Sequence, residues 1–287
     1  MSAQLRVPVG PQLNELFLLR VAGVEYLGYK PADLDGRRLG SRLTPRMMLG
    51  VLLDSSLTAQ HLTCRYRPLS LRCRQAVFSQ ALASAHNRIH FPFPVLDQSA
   101  RELTVPDGYW EDTLYLADRL DEQEAHFRNV CRTTLSKHLQ ANALIHDPAC
   151  STGTFIGTLA RALPQARCLG ADRCAPMISH ATRHHQRHNL HFTVADANQP
   201  ALPAASCDVL ILRFLNAEMM LRREAVALFH GLCRLVKPGG MIILFGHTPV
   251  LFEVEVEARR QGLQVAGSLG SVLGTDELFQ FYRLRRT

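Results

Sequence analysis

From about residue 143 the chain switches between short apolar runs and stretches with helical spacing. ALIHD (143–147) reads as a buried strand and TFIGTLARAL (154–163) as a helix. ARCLGAD (166–172), APMISHATRHHQRH (175–188) and NLHFTVAD (189–196) read as strand, helix and strand. CDVLILRF (207–214) is the most apolar strand, EMMLRREAVALFHGLCRLV (218–236) a long amphipathic helix stopped by KPGG, and MIILFGH (241–247) a fifth strand. Such alternation predicts βαβ units and a parallel sheet. After the helix-like VLFEVEVEARRQ (250–261), LQVAGSLGS (263–271) and ELFQFYRLRR (277–286) alternate apolar and polar positions. That period predicts an antiparallel pair at a sheet edge.

The first 142 residues read differently. LTPRMMLGVLLDSSLTAQHL (43–62) and LSLRCRQAVFSQALASAHNRI (69–89) look helical, and HFPFPVL (90–96) is extended and broken by proline. YWEDTLYLADRLDEQEAHFRNVCRTTLSKHL (109–139) has helical period, with Trp110, Leu114, Phe127, Cys131 and Leu135 on one side. The expectation is two parts: residues 1–142, a mainly helical N-terminal section lying over the site, and residues 143–287, an α/β domain.

Composition narrows the class. The chain has 287 residues, 47% hydrophobic, enough for a substantial core. No run nears the roughly 18 apolar residues of a membrane helix, and the first residues lack the basic-then-apolar pattern of a signal peptide. Eight cysteines form no C-x-x-C pair and several sit in apolar runs, which fits buried free thiols in a reducing cytoplasm. The net charge of +7 comes almost wholly from scattered arginines. Without interleaved aromatics they read as a solvated surface, so neither nucleic acid nor membrane is the expected partner.

Candidate chemistry starts at IHDPACSTGTF (145–155). A strand, a turn of small residues and a helix form a ligand loop, because small side chains let the backbone come close. Asp147, Asp172 and Asp196 end three successive strands, at the crevice where open α/β sheets bind ligands. Each also has a plainer reading: Asp147 as a turn residue, Asp172 as a helix cap, Asp196 as a solvated strand end. A nicotinamide dehydrogenase would need G-x-G-x-x-G here, which is absent.

These segments, with LGADRCAPMI, VADANQPALPAASCDVLI and LVKPGGMIIL, resemble the successive motifs of class I S-adenosylmethionine (SAM)-dependent methyltransferases, over roughly residues 140–287. In that family the first motif is commonly acid-x-Gly-x-Gly-x-Gly; here Ala149, Ser151 and Gly153 hold the glycine positions. The resemblance implies a Rossmann-like methyltransferase fold, mostly parallel with an antiparallel edge strand, using SAM as donor or as substrate. It implies that Asp172, with Arg173 beside it, holds the ribose hydroxyls and that Met177 lies near the adenine. Asp196 and Ala197 would meet the adenine amino group. Arg213, with Asp147, Ala149, Ser151 and Gly153, would hold the methionine part.

The acceptor is less legible. DPACSTG has some likeness to adenine-N6 methylases, but their Asn/Asp-Pro-Pro-aromatic signature is missing: RFLNAEMM stands there, putting Asn216 and Glu218 at the crevice mouth. Tyr109, Trp110, Asp112 and Tyr115 are further active-site candidates, since aromatic rings can cradle a sulfonium; Trp110 and Tyr115 equally suit a helix anchor. His180, His184 and His188, four apart, suggest a metal only if other elements converge on them, so no metal is expected. The primary expectation is methyl transfer to a small molecule, with secondary metabolism as its setting. The alternative is attack on the aminocarboxypropyl chain of SAM with release of methylthioadenosine, as in cyclisation to azetidine-2-carboxylate. A nucleic-acid methylase or SAM-binding regulator ranks last.

Overall fold

The computed structural model describes residues 1–30, 42–104, 124–200, 202–216, 219–250 and 252–287. Its first sheet holds β1 (Ala3–Pro8), β2 (Leu16–Val21), β3 (Val24–Tyr29), β4 (Met48–Leu57), β5 (His61–Pro68) and β6 (Arg88–His90), in the order β1-β5-β4-β3-β2-β6. All its pairings are antiparallel. The mainly helical N-terminal section is therefore corrected to a strand-rich one. The stretch 43–62 forms most of a β-hairpin instead of a helix. Its dense apolar run, MMLGVLL, satisfies both periods, and pairing with β3 and β5 decides between them. Gly50 marks that pairing: a Cβ there would lie 2.0 Å from the Arg67 carbonyl oxygen. The predicted helix in 69–89 does form, as α1 (Leu71–Ala81), with Ser70 Oγ accepting from the Cys73 N–H.

The second sheet contains β7 (Leu144–Asp147), β8 (Arg167–Asp172), β9 (Leu190–Val194), β10 (Cys207–Leu212), β11 (Val236–Leu244), β12 (Leu263–Ser271) and β13 (Leu278–Arg286). Their order is β9-β8-β7-β10-β11-β13-β12. The first five are parallel neighbours, and β13 runs antiparallel between β11 and the edge strand β12. Order changes direction at β7, so the crevice that suits a ligand lies beyond the ends of β7 and β10.

Helices cover both faces. On one, α2 (Ala125–His138), α3 (Thr154–Ala162) and α4 (Ala175–His184) bury Phe127, Phe155 and Ile178 with Ile145, Val209 and Phe281. On the other, α5 (Arg222–Cys233) and α6 (Val254–Arg260) bury Phe229, Leu232 and Ala258 with Leu210, Ile242 and Tyr282. Helix α4 stops at His184, so His188 does not continue its histidine face.

The two sheets share contacts. Leu43 and Leu278 exchange backbone bonds of 2.7 and 3.0 Å. Leu269 and Leu278 of the second sheet join Phe17, Leu43, Met48 and Phe78 in one buried cluster. Gln280 Nε2 donates to the Ile89 carbonyl at 3.1 Å, and His90 meets Glu253 at 2.9 Å. Among the described residues no helix is long and apolar enough to cross a membrane.

Candidate functional site

The loop after β7 is bent by two left-handed residues, Ser151 (φ 53°) and Gly153 (φ 78°). Gly153 opens α3, and a Cβ there would lie 2.7 Å from both the Ala181 methyl and the Phe192 ring. Ser151 adopts a conformation that costs an L-residue free energy, so its neighbours must hold it. Its N–H donates to Asp172 Oδ2 at 2.8 Å, and its hydroxyl lies 3.1 Å from Met177 Sδ. The Cys150 N–H donates to the Ala171 carbonyl at 2.7 Å. Asp172 Oδ1 also accepts from the Cys174 N–H at 2.9 Å, so the same carboxylate braces the turn into α4.

Beneath the loop lies a buried three-residue clasp. Arg213, just past β10, directs Nε to Asp147 at 3.2 Å, Nη2 to the Cys150 carbonyl at 2.9 Å, and Nη1 to both oxygens of Glu124 at 2.8 and 3.0 Å. The guanidinium also sits 5.5 Å from the Phe155 ring centre. The side chains are 9% (Arg213), 6% (Glu124) and 0% (Asp147) exposed. Burial pushes the Asp147 carboxyl up to about 6 despite the pull of Arg213. The two carboxylates together hold the Arg213 guanidinium above its ordinary value, against the opposing effect of burial. Asp147 is thus committed to Arg213 and to the Ala149 N–H.

A cavity of about 190 Å³ opens at the carboxyl ends of these strands, against about 10 Å³ for two others. Ala149, Ser151, Asp172, Arg173, Met177, Asp196, Ala197, Arg213 and Asn216 all line it. Asp147 and Gly153 do not line it but support its wall. At Asp196, Oδ1 accepts from the Asn198 backbone and side-chain nitrogens at 2.8 and 3.0 Å. Phe214, Met219, Met220 and Leu228 add an apolar side. Tyr109, Trp110, Asp112, Tyr115 and Glu218 lie outside the described residues.

Glu124 and His247 are among the lining residues that the sequence reading missed. Glu124 reads as one more acid in a charged helix, and its partner is 89 residues away. His247 follows β11 with no motif around it. Burial lowers its pKa to about 4, and the charges of Lys30 and Arg42 push the same way. All eight cysteines are free thiols, and burial raises Cys150 well above the ordinary thiol value, which does not suit a nucleophile. Among the described residues no group of three or more His, Cys, Asp or Glu could hold a metal ion.

Residues 145–240 match a family model described as a methyltransferase domain. Isonocardicin synthase of Nocardia uniformis subsp. tsuyamanensis is 31% identical over 283 residues, covering 95% of this chain and 91% of that protein. Among solved structures, the magnesium protoporphyrin IX methyltransferase of Synechocystis PCC 6803 with bound S-adenosylhomocysteine aligns at 17% identity and a TM-score of 0.46, over 59% of this chain and 85% of that one. A SAM-dependent methyltransferase from Aquifex aeolicus aligns at 15% identity and 0.42, over 54% and 89%.

Proposed function

This chain belongs to the class I SAM-dependent methyltransferase family and is a SAM-dependent transferase, and on that premise we propose that it transfers a group from SAM to a small-molecule acceptor. The observation that carries the reading is the convergence of Ser151, Asp172, Asp196 and Arg213, from four strand ends, on one cavity. The residues fit an adenosine-bearing molecule. Asp172 offers carboxylate oxygens to vicinal hydroxyls, Met177, Ala197 and Phe214 give the cavity apolar lining that suits a base, and Asp196 lines it as well. SAM, when bound, supplies a positively charged sulfur whose attached carbons are open to nucleophiles. The chain's own part is to bind, orient and exclude water. The left-handed Ser151 turn brings the backbone close, and the clasp fixes the loop rigidly.

In the first reading the group is the methyl, the family's majority reaction. A second reading, transfer or cyclisation of the aminocarboxypropyl chain, has specific support. The departures from the family pattern gather at the end that would meet the methionine part: Ala149 and Ser151 replace glycines, and the first-motif acid is tied to Arg213, which also binds Glu124. The full-length relative is named a synthase, not a methyltransferase, which also suits a biosynthetic, secondary-metabolic role. Mass spectrometry of SAM incubated with the protein, alone and with a pool of small metabolites, separates the readings. S-adenosylhomocysteine marks methyl transfer, and methylthioadenosine marks the second route. Neither product in any mixture would count against a transferase.

A further inference from the structure

The connections leaving β10 and β11 lie against each other on the side of the cavity away from Asp172 and Asp196. Asn216 and Val250 form an isolated antiparallel bridge between them. Gly246 is squeezed in this contact: a Cβ there would lie 2.9 Å from Asn216 Nδ2 and 2.5 Å from the Thr248 carbonyl oxygen. Asn216 and His247 both line the cavity, and Asn216 is only 4% exposed. Asn216 Oδ1, His247 Nδ1 and Thr248 Oγ1 are all buried with no hydrogen-bond partner among the described residues. Folded proteins keep few such groups; two of these three line the cavity and the third follows His247 directly in the chain, a grouping that calls for a ligand to satisfy it.

We propose that Asn216, His247 and Thr248 form the acceptor subsite, and that the acceptor presents an uncharged O–H or N–H donor to it. The proposal rests on the transferase reading above and adds the chemical class of the second substrate. A carbonyl oxygen such as Asn216 Oδ1 only accepts, so the ligand must donate. His247 is uncharged at neutral pH, held so by burial and by the Lys30 and Arg42 charges, and a neutral imidazole keeps one nitrogen that accepts. The threonine hydroxyl can accept as well. An alcohol, phenol or neutral amine matches this wall, whereas an ether leaves its acceptors unmet.

The test uses the full chain saturated with S-adenosylhomocysteine and four probes of similar size: phenol, aniline, anisole and benzoate. Ligand-observed NMR gives their dissociation constants, and calorimetry gives that of S-adenosylhomocysteine. The expected result is phenol or aniline binding at least ~10-fold tighter than anisole and benzoate. Thr248→Val, which keeps shape, and His247→Phe should weaken the preferred probe several-fold while S-adenosylhomocysteine binds within about two-fold of wild type. Normal S-adenosylhomocysteine binding without donor preference, tighter binding of benzoate, or indifference to both variants overturns the subsite alone. Failure of wild type to bind S-adenosylhomocysteine overturns the transferase reading, and this inference with it.

Discussion

Gly153 meets two demands at once, a left-handed backbone and contact with Ala181 and Phe192 too close for a Cβ. Gly153→Ala should therefore destabilise the chain by about 1–3 kcal/mol, read from urea midpoints, and weaken SAM binding by distorting the loop. Asp172 is a milder case. It braces Ser151 and Cys174 and also faces the cavity, so Asp172→Ala should lower SAM affinity at least ~10-fold in calorimetry with a smaller loss of stability. Arg213→Met leaves two buried carboxylates without their cation, at a cost of about 3–5 kcal/mol, and is expected to lower the melting temperature most. Asp172 was legible because a strand-end acid at fixed spacing is a local pattern. Glu124 and His247 were not, because their significance comes from partners contributed by distant elements.

Among the described residues of the chain's first half, Glu124, at the start of helix α2, lines the cavity. Phe127, fully buried, stacks on Phe245 at 4.4 Å and meets Phe279 edge-on at 5.0 Å. That packing sets the position of Glu124, one residue before the helix starts. Phe127→Ala is expected to cost about 3–5 kcal/mol and to weaken SAM binding in parallel. Restoring a ring with Phe127→Tyr should recover part of the stability, which thermal melts with and without SAM can follow. At this scale the parallel strands and the β12–β13 pair were readable, because each half-buried or fully buried run carries its own period. The β4–β5 hairpin was misread because its apolar density fits either period, and only long-range pairing selects one.

Across the whole molecule the buried ionisable groups set a response to acid. His146 is 2% exposed, its Nδ1 donates to the Leu169 carbonyl at 3.2 Å, and burial lowers its pKa to about 4. Its stabilisation of the fold is fully present above its ordinary value of 6.5 and is lost as pH falls toward 4, about 3 kcal/mol at most. His247 acts in the same direction. Asp147 opposes them, since its raised pKa favours the fold as pH falls through about 6. Two groups outweigh one, so urea midpoints should drop between pH 6.5 and 4, and His146→Gln should flatten that slope. The clasp carries a consequence for the order of synthesis. Glu124 leaves the ribosome 89 residues before Arg213, so its carboxylate stays hydrated and unmatched while the parallel strands are still being made. A nascent chain arrested before residue 213 lacks the cation that closes the clasp and is expected to hold the cofactor weakly. Binding competence then arrives late and abruptly, and SAM in the translation mix would shield from protease only chains that have passed that point.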